Sequence, residues 1–274
     1  MSRHRTPPTR PAAPEASYVR LLPGSRTPTY AFVHPVGGSV SGYVDVVSAL
    51  PAGTECVGMR ARGLSPRGEP HRDIPAMAAA YLGELLAHHE PEHLVLAGYS
   101  FGGLVAFEMA RRLRERGRTP AGAVLLGTYV PRHGVPRAER VAAFARLVSV
   151  IYRVPAEGLR LDGLDDTEMV DRAAEVAERC PTLPAAYRQA DMRRLFRVLA
   201  LNLRMAQEYD VPPYDGPVHL VRPERPDPQD TLHAWRSRCP AGVFTHDVGG
   251  EHNELMTGDH GVRIARTLAA LWPG

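Results

Sequence analysis

The sequence predicts an α/β protein with a mostly parallel central sheet, and three observations carry that expectation. From Tyr18 onward, apolar runs of strand length alternate with longer stretches at helical spacing, the order that places helices between parallel strands. Glycine-rich turns stand where strands give way to helices, at HPVGGS (34–39) and GYSFG (98–102). With 274 residues, 44% of them hydrophobic and 23% charged, the chain is large enough to bury a sizeable core as one large domain or two small ones.

The elements follow in order. TYAFVHPV (29–36) reads as a buried strand, followed by a glycine turn and a helical stretch through Leu50; ECVGM (55–59) is the next strand. Asp73 is placed to cap a helix over 74–88 whose Met77, Tyr81, Leu85 and Leu86 share one side. HLVLAGYS (93–100) enters a turn as a strand. The amphipathic LVAFEMARRLRERG that follows ends at Gly117, the usual helix stop, and GAVLLG (122–127) is the fourth strand of this half. From Pro131 to Gly216 the pattern is helix without strand, with spacing over 141–150, 169–177 and 192–206 broken by Pro155, Pro181 and Pro184. That is too long for a crossover, and a helical insertion of this size between strands is expected to cover a site as a lid. Alternation resumes with PVHLVRP (217–223), a helix near 231–238, the strand VFTHDV (243–248) and the final helix GVRIARTLAALW. The proline-rich opening over residues 1–17 reads as a flexible leader or linker, leaving one domain over 18–274.

Composition removes several function classes. The formal charge is only +3 and the basic side chains are arginine, so the concentrated positive excess of a nucleic-acid-binding protein is not indicated. Cys56, Cys180 and Cys239 lack the paired spacing of a disulfide framework or zinc site, which points to a reducing, cytoplasmic setting. No apolar run is long enough to span a membrane and no secretory core opens the chain. HEPEH (89–93) spells H-E-x-x-H, but Pro91 interrupts the helix that would bring both histidines to one face, so no metal site is expected.

Gly98, Tyr99, Ser100, Phe101 and Gly102 form G-x-S-x-G between a strand and a helix, the context of a nucleophile elbow. Small neighbours permit the sharp turn that exposes the Ser100 hydroxyl, and the helix start offers the Phe101 N–H to a developing oxyanion. A second donor must come from a loop whose backbone approaches the reacting carbonyl. Gly37 and Gly38 provide that access, and the N–H of Val36 is the candidate, with His34 orienting the loop or simply packed. A serine hydroxyl needs a general base. His252, in VGGEHNELM just past the last strand, stands last in chain order as this arrangement requires.

These segments, HPVGGSVSGY, MRARGLSPRGEPHRDIPAMAAAYL, LVLAGYSFGGLVAFEMARRL and VGGEHNELM, resemble the thioesterase domains of nonribosomal peptide and polyketide synthases, within the α/β-hydrolase fold. The resemblance runs from about Tyr18 to the end. It implies that Ser100 takes an acyl or peptidyl chain from the phosphopantetheine of a carrier protein, that no further cofactor is needed, that His252 is the base, and that Val36 and Phe101 are the oxyanion donors. It also implies a mobile lid over 131–216. Synthase-terminal members commonly carry an aspartate directly after the strand following the nucleophile helix, where this chain has Gly127. Free-standing editing relatives place the acid after the next core strand, which makes Asp227 the candidate, with Glu224, Asp230 and Asp247 as alternatives. The expected activity is hydrolytic or cyclising release from a carrier. A carrier-docking module with weakened catalysis and an esterase for small esters stand beside it. The arginines of 111–118 and 193–204 read as solvated helix faces or as docking sites for an acidic carrier.

Overall fold

A computed structural model describes residues 16–184, 187, 191–223 and 231–273. Seven strands form one sheet in the order β1-β3-β2-β4-β5-β6-β7: β1 (Tyr18–Leu22), β2 (Arg26–Val33), β3 (Thr54–Met59), β4 (Leu94–Tyr99), β5 (Gly122–Leu126), β6 (Val218–Arg222) and β7 (Val243–Asp247). Only β1 runs antiparallel, against β3. The sequence reading did not resolve β1, a short edge strand whose residues are partly exposed and show no clean alternation. It also carried β2 three residues too far, since the strand stops at Val33 and 34–38 turn away.

Helices cover both faces. Side chains alternate along β2, Ala31 and Val33 joining the layer of α2 (Ile74–Leu85) and α3 (Phe101–Glu115), Tyr30 and Phe32 joining that of α1 (Val44–Ser48) and α8 (Gly258–Leu271). Asp73 caps α2 as expected, its carboxylate accepting from the Ala76 N–H at 2.6 Å. That helix ends at Leu85, not His88, and Pro91 opens a separate 3-10 turn. Gly117, with φ of +70°, ends α3 while the N–H of Arg118 reaches the Leu113 carbonyl at 2.9 Å. Trp235 of α7 (Thr231–Arg238) is fully buried against Phe107, and its Nε1 donates to the Thr128 carbonyl at 2.8 Å.

Between β5 and β6 lie α4 (Arg137–Tyr152), α5 (Asp166–Glu178) and α6 (Met192–Glu208), at the predicted spacings. They enclose a core of their own around Phe144, Val148, Ala173, Phe196 and Leu199, and Val36 packs against that core. At the amino end most of the expected leader lies outside the described residues. Ser17, however, is fully buried and its N–H donates to Glu84 at 2.7 Å, so Ser17 packs with the domain and not with a leader.

Candidate active site

The turn after β4 has the geometry its sequence predicts. Ser100 adopts φ +55° and ψ −117°, a conformation rare for a residue with a Cβ, which costs about 1–3 kcal/mol and persists only where the surroundings hold it. Those surroundings are specific. The Ser100 N–H donates to the Leu126 carbonyl at 2.9 Å, and its carbonyl accepts from Gly103 at 3.0 Å. A Cβ on Gly98 would sit 2.1 Å from the Gly102 carbonyl oxygen, and one on Gly102 would sit 2.3 Å from that of Val33. Strand, turn and helix approach as closely as backbone permits. The Ser100 side chain does not cap its own helix, so its hydroxyl is available for other work, and Phe101 takes the first position of α3, where amides lack intrahelical partners.

The glycine loop after β2 lies alongside, because Val33 pairs with Gly98 in parallel register. His34 is fully buried, stacks on Phe101 with ring centroids 5.7 Å apart, and places Nδ1 2.8 Å from the Pro35 carbonyl and Nε2 2.8 Å from the Tyr81 hydroxyl. A carbonyl only accepts, so Nδ1 carries the proton and Nε2 accepts from Tyr81. Gly38 N–H also donates to the Pro35 carbonyl, at 2.9 Å. In a trans peptide the C=O and N–H point oppositely, so these two donors direct the Val36 N–H away from buried His34. His34 thus holds the loop, one of the two roles its sequence context allowed. On the far side of Val36, its carbonyl accepts from Asn202 Nδ2 of α6 at 2.9 Å.

Burial drives the His34 pKa down from 6.5 to about 4. Between those values the unfolded chain takes up a proton that the native protein refuses, so stability falls as pH drops from 6.5 toward 4, by about 1.4 kcal/mol per pH unit for this group. Urea unfolding at pH 6.5, 5.5 and 4.5 is expected to show that slope reduced by about this amount in His34→Gln; an unchanged slope would remove His34 from the account.

His252 opens a 3-10 turn, His252–Glu254, after Gly249 and Gly250, both with positive φ. Its ring lies between Tyr99 and Tyr129, with centroids 5.0 and 5.1 Å away, and the Tyr99 hydroxyl donates to its carbonyl at 2.6 Å. Since Tyr99 immediately precedes Ser100, these contacts bring His252 beside the Ser100 turn, although β4 and β7 are separated in the sheet by β5 and β6. Burial, and secondarily the positive charge of Arg146 on α4, push the His252 pKa down to about 4, leaving a neutral imidazole at neutral pH. Its Nδ1 is buried and has no hydrogen-bond partner among the described residues. A Cβ built on Gly127 would stand 3.2 Å from that nitrogen, so the position at which the family resemblance predicts an aspartate faces the imidazole, and here it is a glycine. Asp247 is held by Arg222 in a two-pronged pair, Nε to Oδ1 at 3.0 Å and Nη2 to Oδ2 at 3.2 Å, not by His252. Asp227, Glu224 and Asp230 lie outside the described residues.

Other sequence features resolve into structure. The H-E-x-x-H residues separate: His89 Nε2 meets the Tyr18 hydroxyl at 3.0 Å, while Glu90 and Glu92 bind Arg118. Both arginine clusters are largely paired internally. Arg111 and Arg112 share buried Glu108 with the Tyr209 hydroxyl, and Arg193, Arg197 and Arg204 face Asp171, Glu69 and Glu208. Three supporting roles escaped the sequence reading, those of Tyr81, Asn202 and Tyr43. The Tyr43 hydroxyl donates to the Val33 carbonyl at 2.6 Å and accepts from the Tyr99 N–H at 2.8 Å, tying the glycine loop to the elbow. No spacing in one dimension announces such bonds, because their partners are 10 to 166 positions away.

The chain is similar to known proteins over most of its length. The thioesterase domain model matches residues 29–271. The nonribosomal peptide synthetase btyA of Aspergillus terreus is 27% identical over 92% of this chain, and pyochelin synthetase PchF of Pseudomonas aeruginosa 28% over 93%. The chain spans only 29% and 16% of those two proteins. Among solved structures, the four-domain nonribosomal peptide synthetase holo-AB3403 aligns with a TM-score of 0.78 at 26% identity, covering 94% of this chain and 20% of its own. The wild-type Vlm2 thioesterase domain aligns with a TM-score of 0.67 at 25% identity, covering 94% of this chain and 98% of its own. With its mostly parallel seven-stranded sheet in the α/β-hydrolase fold and a family match over most of its length, the chain belongs to the thioesterase domain family.

Proposed function

We propose that the chain is a serine thioesterase that releases an acyl, polyketide or peptidyl chain from a phosphopantetheinyl carrier protein through an acyl-Ser100 intermediate. The observation that carries this reading is the strained Ser100 at the β4–α3 turn, beside a glycine loop and with His252 packed on the preceding residue, Tyr99. The family membership and the synthetase relatives favour a carrier-bound substrate, which brings its own phosphopantetheine, so the reading needs no other cofactor. In the first step His252 Nε2 takes the Ser100 proton, the Ser100 oxygen bonds to the thioester carbonyl, and the oxyanion rests on the Val36 and Phe101 amides. The carbon–sulfur bond then breaks and the thiol leaves with the proton from His252. In the second step His252 activates water, or a hydroxyl or amine of the chain, to break the ester. Asp227 is our candidate for the acid that orients His252, and the helices of 131–216 for a lid over the acyl channel.

A fluorophosphonate probe followed by intact-mass analysis tests the reading. One equivalent is expected on the wild-type chain and none on Ser100→Ala. Equal labelling of both would overturn it. A second reading, a carrier-docking module with weakened catalysis, is favoured by Gly127 beside the unpartnered His252 Nδ1. Carrier binding together with no acyl transfer from a carrier-bound thioester would support that alternative. A small-ester esterase would instead prefer soluble esters over the carrier-bound thioester.

A further inference from the structure

The Val36 residue is held from two sides by different parts of the chain. The peptide on its amino side is fixed by the core, through His34 Nδ1 and Gly38 N–H on the Pro35 carbonyl. The peptide on its carboxyl side is held by the helical insertion, through Asn202 Nδ2 on the Val36 carbonyl at 2.9 Å. Gly37 and Gly38 follow, and neither has a side chain to limit the rotation of that second peptide. The insertion packs on both: Ile151 of α4 lies 3.6 Å from where a Gly37 Cβ would stand, and Val198 of α6 lies 2.8 Å from that of Gly38.

Asn202 is an unusual choice for packing alone. The other buried residues of α6 are Met192, Phe196, Val198, Leu199 and Met205, and Asn202 among them is only 2% exposed. A buried amide is unfavourable unless its hydrogen bonds are made, so an apolar residue would fill the same space at lower cost. What the amide adds is a directional hold on one carbonyl.

We infer that Asn202 is a positioning residue, whose hydrogen bond to Val36 makes the geometry of the oxyanion loop depend on how α6 is docked. The inference rests on the proposed role of the Val36 N–H as an oxyanion donor. The consequence is that acylation competence is coupled to the seating of the insertion: displacing α6 frees the Val36–Gly37 peptide to rotate, and Val36 is then held from its amino side alone.

The test is steady-state kinetics on a carrier-bound or N-acetylcysteamine thioester with Asn202→Asp, which keeps the shape but cannot donate when ionised, and with Asn202→Leu, which removes both polar atoms. Loss of a single oxyanion donor lowers turnover by about 100- to 1,000-fold in serine hydrolases, so misplacing one is expected to lower kcat by about 10- to 100-fold while KM stays within about threefold. A rise in KM with kcat unchanged, or wild-type kinetics in a variant with a lowered melting temperature, would overturn the inference and leave Asn202 as a packing residue. So would loss of the fold in both variants. Ser100→Ala, measured in parallel, separates the two levels: if it retains turnover, the reading of the site fails, whereas a silent Ser100→Ala beside an unimpaired Asn202→Asp sinks the coupling alone.

Discussion

His252→Ala is expected to lower acylation of Ser100 by about a million-fold in kcat, the scale seen when nucleophile or base is removed from a serine triad, with the fold intact. The base is nearly irreplaceable because a serine hydroxyl at its ordinary pKa has almost no nucleophilic form at neutral pH. If Asp227 is the acid, as we propose, Asp227→Asn is expected to cost less, about 10⁴-fold, because it would remove the group that sets the tautomer and stabilises the imidazolium and not the base itself. The two variants together are more informative than either. A His252→Ala chain without acylation beside an Asp227→Asn chain near wild type would place the acid elsewhere, or show that the Tyr99 and Tyr129 rings alone hold the imidazole. Stopped-flow acylation by an activated ester, with melting temperatures as the control for folding, gives both numbers. If His252→Ala acylates at the wild-type rate, the assigned base is wrong.

Gly98→Ala is expected to disrupt the Ser100 turn strongly. Its Cβ would lie 2.1 Å from the Gly102 carbonyl oxygen, a backbone atom in the first turn of α3 that cannot move without carrying Ser100 with it. Overpacking of this kind typically costs about 1–3 kcal/mol and occasionally more, which for a domain of this size lowers the melting temperature by up to about 10 °C. Displacing the nucleophile by about an ångström costs a further factor of about 100 in acylation. Gly83→Ala serves as the opposite control. Gly83 is exposed in α2 with open space at its Cβ, so alanine there is expected to stabilise by about 0.5–1 kcal/mol through helix propensity. Thermal unfolding of the two variants should move in opposite directions; a Gly98→Ala melting temperature at or above wild type would contradict the close approach.

Much of this molecule was legible along the chain because its signals are local. Strand and helix periods, the Asp73 cap, the Gly117 stop and the strand–turn–helix setting of Ser100 all depend on residues within a few positions of one another. The insertion helices α4, α5 and α6 also announced themselves, through apolar spacing and proline breaks. The strand β1 was missed because an isolated five-residue edge segment has too little periodicity to separate it from a loop. The end of β2 was misplaced because an apolar run does not reveal where backbone pairing stops: Val36 is apolar and lies past the last paired residue, packing against both the sheet core and the core of the insertion.

The sequence by itself determined the strained turn at Ser100, the glycine-containing segment that carries His252 and the order of the fold. These follow from steric and periodic rules that act between near neighbours. Tertiary structure alone decided what holds them: Tyr43 bridging two strand ends, His34 and Tyr81 fixing the Pro35 carbonyl, Tyr99 and Tyr129 flanking His252, and Asn202 reaching Val36 across 166 positions. It also turned the arginine runs into internally paired surfaces and showed that Gly127 faces His252 Nδ1. The physical reason is that a hydrogen bond needs a donor and an acceptor brought within about 3 Å at a given angle, and only the folded chain sets that distance between residues remote in sequence.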